Sequence, residues 1–273
     1  MKLMFITNED EIALAAERAG VDRIFIDIET IGKQDRQDGM DTVQSKHTVE
    51  DVERISKLIH KSEVLVRVNP IHEATEEEVD AVIEAGADIL MLPYFQTANQ
   101  VERFLKAVNG RAKTMLLFET PECVDNINEI LDLSGIDEVH IGINDLHLGY
   151  GRTFMFELVA DGTVERICNI FKEKGYTYGF GGIARIGEGL LPAELILSDH
   201  VRWGSQIVIL ARAFCDVRTI TEVSEIEEVL QTGVKTLRDK YLELKKADEN
   251  IFEQNHKKLQ EIVNAIVENK RKG

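Results

Sequence analysis

Two acidic residues each close an apolar run. Glu119 ends Met115-Leu116-Leu117-Phe118, and Asp145 ends Ile141-Gly142-Ile143-Asn144. If those runs are neighbouring strands, their ends lie ~4.8 Å apart. Two carboxylates so placed can reach one hard cation such as Mg2+ or Mn2+, with water and substrate oxygens completing its shell. The alternative is that they cap the following helices or pair with arginines. Arg67 follows Val64-Leu65-Val66. A guanidinium there can bind a carboxylate or stabilise a developing enolate oxygen. It can also form an ion pair with Asp27 or Glu29, at the end of the run 23–28, and both roles are compatible. Arg212 follows a further apolar run. His47, His147 and His200 are possible bases, and His147 is favoured by lying two residues beyond Asp145. The pair Gly181-Gly182 lacks the rest of a phosphate-binding fingerprint, so it reads as a place of close backbone approach, with Gly182 beside the substrate. Cys123, Cys168 and Cys215 have no base in an obvious motif and read as packing residues.

For these groups to converge, one edge of a sheet must carry them. Eight short apolar runs qualify as strands: 2–6, 23–28, 64–68, 88–92, 114–118, 138–141, 176–180 and 206–210. They are nearly continuous in apolar residues, as strands covered on both faces should be. Helical patterns separate them at 8–19, 48–60, 75–85, 97–108, 121–133, 162–174 and 192–203. Asn8, Thr48 and Thr75 are expected caps, with Glu78 at the third position after Thr75. Pro121 fits a first turn. Eight alternations predict a (β/α)8 TIM barrel whose active site lies at the C-terminal ends of the strands. An open doubly wound sheet is the alternative. Residues 1–220 are expected to form the barrel and 221–273 a C-terminal helical extension. That extension divides near 247–250 into an eighth barrel helix and a further helix that caps the barrel or meets a neighbouring subunit. The polar connection 30–47, carrying Lys33, Arg36 and His47, is long enough to suggest a functional loop.

The bulk composition narrows the class. A chain of 273 residues is long enough for one such barrel, and 44% hydrophobic content is ordinary for a globular protein. A net charge of −17 opposes nucleic-acid backbones and anionic membranes. No apolar run is long enough to span a bilayer, and the first residues read as a strand and not a signal peptide. Three widely spaced cysteines without a C-x-x-C pair point to a reducing cytoplasm.

Five segments, in order, resemble the HpcH/HpaI aldolase and citrate lyase β-subunit family, whose fold is the phosphoenolpyruvate/pyruvate-type barrel. They are Gly-Val-Asp-Arg-Ile-Phe-Ile-Asp-Ile-Glu (20–29), Val-Arg-Val-Asn-Pro (66–70), Gly-Ala-Asp-Ile-Leu-Met-Leu-Pro (86–93), Leu-Phe-Glu-Thr (117–120) and Gly-Ile-Asn-Asp-Leu (142–146). The resemblance spans about residues 10–215. It implies that Glu119 and Asp145 bind a divalent ion and that Arg67 polarises the substrate carbonyl. It also implies that the backbone amides of Asn144 and Asp145 hold a 2-oxo acid carboxylate. The chain departs from the pattern in three places. The pyruvate aldolases have a histidine where this chain has Thr30, and a glutamine where it has Leu117. The citrate-lyase branch opens with an arginine-bearing, Pro-Gly-ended strand that helps bind coenzyme A, whereas this chain has Met-Phe-Ile-Thr-Asn.

The expected function is therefore a metal-dependent carbon–carbon lyase or aldolase acting on a 2-oxo acid or related carbonyl through an enolate. Arg67 would stabilise charge. Asp27 or Glu29 would move the hydroxyl proton, with His47 and His147 as further candidates. Asn144, Asp145, Gly182 and Arg212 would contact the anionic substrate. A homo-oligomer is expected. Two other readings stay open: an enolate condensation on a sugar-linked or phosphoenolpyruvate substrate, and a barrel that has lost its base and serves binding or assembly.

Overall fold

The computed structural model describes residues 1–32, 46–220 and 222–272. Lys33, Arg36 and most of the polar connection lie outside these residues. Eight strands run β1 (Lys2–Ile6), β2 (Arg23–Asp27), β3 (Glu63–Arg67), β4 (Ile89–Leu92), β5 (Lys113–Phe118), β6 (Glu138–Ile141), β7 (Thr177–Ile183) and β8 (Ile207–Leu210). Each pairs in parallel with the next, and β8 pairs with β1, so the sheet is a closed (β/α)8 barrel. The open sheet is thereby excluded. β7 runs three residues further than its apolar run suggests. Its register to β8 shifts between Gly179 and Gly182, so the Gly-Gly pair lies within the strand and not after it.

The helices that wrap the barrel begin where local chemistry lets them. After α1 (Asp10–Arg18) comes α2 (Val49–Leu58), where Thr48 and Asp51 form a reciprocal capping box. Asn8 does not cap α1. Its side-chain amide donates to Asp51 at 3.0 Å and ties the starts of α1 and α2 together. In α3 (Thr75–Glu84) the expected box is also absent. Thr75 is the first helical residue, and its hydroxyl accepts from the His72 amide at 2.8 Å. Glu78 is drawn away to Asn69, whose backbone and side-chain amides donate to it at 2.8 and 2.6 Å. α4 (Ala98–Val108) has a Thr97–Gln100 box. α5 (Pro121–Asp125), with Thr120 as cap and Pro121 in its first turn, breaks at Asn126 before α6 (Ile127–Leu131). α7 (Ile143–Gly149) and α8 (Glu157–Ala160) are short helices after β6 that the apolar periodicity does not announce. α9 (Thr163–Glu173) and α10 (Ala193–Arg202) follow.

α11 (Val223–Leu244) closes the ring against α1 and α10. α12 (Glu249–Lys272) packs on this chain's own α10 and α8, burying Phe252, Leu259, Val263 and Val267. No described helix is long and apolar enough to cross a membrane.

Inside the barrel the side chains form layers. The middle is apolar, built by Met4, Phe25, Leu65, Ile89, Met91, Met115, Leu117 and Ile207. The N-terminal end is sealed by Arg23, which has no exposed side-chain surface and donates to Glu63 at 2.9 Å and to Glu138 at 2.5 and 2.8 Å. Lys2 extends this ion cluster through Glu138 at 3.0 Å, and Lys113 extends it through Glu63. The charged residues at the opposite end form the candidate site.

Candidate active site

The last residues of β2 and β3, Asp27 and Arg67, are register partners. The guanidinium meets the carboxylate through two hydrogen bonds, Nε to Oδ1 at 2.9 Å and Nη2 to Oδ2 at 2.8 Å. Glu29 approaches the same Nε at 3.3 Å. Both carboxylates are buried. Burial works against the Arg67 charge, but Asp27, Glu29 and Glu119 outweigh it and hold the guanidinium firmly protonated. Phe25 supports the cation from below, its ring centre 5.6 Å from the guanidinium carbon. The chain beyond Glu29 is held by Asn69, whose Oδ1 accepts from the Thr30 and Ile31 amides at 2.8 and 2.9 Å. Glu78 fixes Asn69, which is why it is unavailable as a helix cap.

Two strands on from Arg67, Glu119 follows β5 and is buried. Its Oε1 accepts the Tyr94 amide at 3.0 Å. Tyr94 has φ +49°, a left-handed conformation uncommon for a non-glycine residue, and so turns its N–H toward the carboxylate. The other face of Glu119 lies against Gly142. A Cβ on Gly142 would fall 2.7 Å from Glu119 Oε2 and 2.8 Å from its Cβ, so only glycine fits this approach. Asp145 sits in the first turn of α7, also buried.

One cavity of about 370 Å3 is bordered by Asp27, Arg67, Glu119, Asn144, Asp145, Gly182 and Arg212. Glu29 reaches it through Arg67. Glu119 and Asp145 also border a smaller cavity of about 310 Å3 beside Tyr94. The three candidate histidines are not among the residues that border the larger cavity. His47 accepts the Asp27 amide through Nδ1 at 3.0 Å, behind the end of β2. His147 donates through Nδ1 to the Asn144 carbonyl, and burial lowers its basicity. It is not among the residues that border the cavity. His200 stacks on Phe180 with ring centres 3.7 Å apart, and its Nδ1 lies 2.7 Å from the Ser205 hydroxyl. Burial pushes its pKa well down, as for a core residue. The three cysteines are free and buried, and burial raises the Cys123 and Cys215 thiols to about 11.

Several residues that shape these cavities escaped the sequence reading. Tyr94 and Gly142 act through backbone shape, which their neighbours in sequence do not announce. His140 borders the cavity from within the wall of β6 and donates through Nε2 to the Gly181 carbonyl at 3.1 Å. Burial lowers its pKa to about 4, so it is neutral. Its signal was available, because alternation along β6 points it inward with Glu138.

The family model for HpcH/HpaI aldolase/citrate lyase matches residues 2–176. No curated protein matches the chain in sequence. Among solved structures, an HpcH/HpaI aldolase from Desulfitobacterium hafniense DCB-2 superposes with a TM-score of 0.60 at 16% identity. The alignment covers 87% of this chain and 93% of that one. An HpcH/HpaI aldolase/citrate lyase family protein from Burkholderia cenocepacia J2315 gives 0.60 at 15% identity, with the same coverage. These superpositions speak for the fold.

Proposed function

The chain belongs to the HpcH/HpaI aldolase/citrate lyase family, whose members are lyases, and from that premise we propose that it makes or breaks the carbon–carbon bond beside the carbonyl of a 2-oxo acid, with a divalent cation as cofactor. One observation carries this reading. Glu119 and Asp145, from consecutive β/α units, border a single cavity together with Arg67.

The donor set suits a hard cation. Mg2+ and Mn2+ take one or two carboxylates and fill the remaining positions with water or substrate oxygens. A closed zinc site would need more protein ligands. Among the described residues there is no group of three or more His, Cys, Asp or Glu that could hold a metal. Glu119 and Asp145 would hold the ion, and when bound it supplies Lewis-acid stabilisation of the enolate charge.

The chain's own residues account for the remaining steps. Arg67, fixed by Asp27, places a permanent positive charge where the carbonyl oxygen becomes negative, and such preorganised charge favours the transition state over the ground state. The backbone amides of Asn144 and Asp145 meet the substrate carboxylate. In the cleavage direction a base takes the proton of the C4 hydroxyl, and the C3–C4 bond breaks. A carbonyl compound leaves, and the bond's electron pair passes into the enolate of the 2-oxo acid. A proton returned to C3 completes the product. Asp27 or Glu29, directly or through water, is assigned the hydroxyl proton. His47, against the Asp27 backbone, is the next candidate, ahead of His147.

The test needs no acceptor. Deuterium exchange at C3 of pyruvate, followed by NMR, should require Mg2+ or Mn2+. It should fall at least ~100-fold in Glu119→Gln, because a metal ligand contributes several kcal/mol to charge stabilisation. Wild-type exchange in that variant would dispose of the reading.

A further inference from the structure

The cavity has two unlike poles. The charged pole is built by β2, β3, β5 and the start of α7. β1 and β8, which face β5 and β4 across the closed barrel and adjoin β2 on one side, contribute Ile6, Ile209 and Leu210. Val217, from the segment after β8, and Met155, from between α7 and α8, extend this wall. Ile6, Ile209, Val217 and Met155 are only partly buried, although each belongs to a residue type that ordinarily seeks the core. Their uncovered surface faces the same space as Arg67 and Glu119.

The described charged side chains on this side come from the segment after β8. Arg212, Asp216 and Arg218 border the cavity there, and Arg218 grips Asp216 through Nε at 2.9 Å and Nη2 at 2.8 Å. At ~30 Å3 per water-sized group, 370 Å3 holds roughly a dozen non-hydrogen atoms. A short 2-oxo acid at the charged pole would use about half of them.

We infer that the part of the substrate beyond the cleaved bond is apolar, an aliphatic chain or small ring lying against Ile6, Ile209, Val217 and Met155. This inference rests on the placement of the 2-oxo acid head proposed above. The physical reason is asymmetric. Each methylene removed from water gains about four-fold in affinity. A hydroxyl pressed against the same side chains loses its water and finds no partner among them. The pocket therefore selects against sugar-like carbonyl compounds as well as for alkyl ones.

Calorimetric titration with Mn2+ and a homologous series, from pyruvate through 2-oxopentanoate to 2-oxohexanoate, tests this without turnover. Affinity should rise roughly four-fold per methylene. A chain of equal length bearing hydroxyls beyond C3 should bind at least ten-fold more weakly than the alkyl acid. In Ile209→Asn, or in Val217→Ser on the segment outside the strand, the gain per methylene should shrink to less than about two-fold. A flat series in the wild type, equal binding of the hydroxylated acid, or an undiminished gain in both variants would overturn the inference. Failure of the lyase reading would show separately, as absence of cation-dependent exchange at C3 of pyruvate, while the series still reports on the apolar wall.

Discussion

Gly142 presents a bare α-carbon to the Glu119 carboxylate, so the smallest possible addition should be felt at the candidate metal site. The methyl of Gly142→Ala would sit within 2.8 Å of Glu119 atoms, and the carboxylate must shift. Backbone strain does not confuse the outcome, because Gly142 has φ −82°. We expect Mn2+ affinity, read by electron paramagnetic resonance, to fall at least ~10-fold, comparable with loss of a supporting contact around a metal ligand, with far-ultraviolet circular dichroism unchanged. At this scale the charged residues were the legible part. A carboxylate or arginine that ends an apolar run must emerge at a strand end, which is how Glu119, Asp145, Arg67 and Asp27 became candidates. Tyr94 and Gly142 were not legible, because one contributes a left-handed backbone and the other an absence of side chain. His200 misled for the opposite reason. A histidine is visible in sequence, but its ring against Phe180 in the core is not.

At the scale of elements, burial on both faces made the strands readable, and their ends were the weak point. β7 continues through two glycines because its bulge against β8 needs their freedom, with Gly181 at φ +53°. Thr48 read correctly as a cap since its box is purely local. Thr75 and Glu78 did not, since Asn69, nine residues earlier and just after β3, competes for Glu78. The docking of α12 is a long-range effect. His256 on α12 pairs through Nδ1 with Asp199 on α10 at 3.0 Å, and Asp199 is fully buried. The pair raises the His256 pKa above 6.5, and burial raises that of Asp199 above 3.8. Arg202, itself bound to Glu249, and Glu165 are the other charges facing the pair. A histidine whose pKa is higher in the folded state contributes stability that is fully present below its unfolded value and is lost as pH rises through the folded one. Asp199 changes in the same direction at lower pH. Thermal unfolding of the wild type should therefore move to lower temperature as pH rises from the ordinary histidine value of 6.5 through the raised one, and this slope should flatten in His256→Gln. An equal slope in both proteins would mean that the pair does not contribute.

For the whole molecule, the sealed end of the barrel is where a single charge matters most. Arg23, itself fully buried, neutralises the buried Glu138 and the half-buried Glu63. Replacing such a cluster as a unit by well-packed apolar residues can cost nothing, but removing one partner strands the others. Arg23→Met is expected to lower stability by about 3 kcal/mol in urea denaturation, a large share of what holds a domain of any size together. The active-site end should be less sensitive, because Asp27, Glu29 and Arg67 stand beside an open cavity.

The pairing of β8 with β1 has one more consequence. A sheet that meets itself has no border strand, and hence no row of vacant amides and carbonyls for another polypeptide to extend. Among the described residues, copies of this chain have no strand edge by which to lengthen the sheet, and contact between them would fall to helix surfaces and loops.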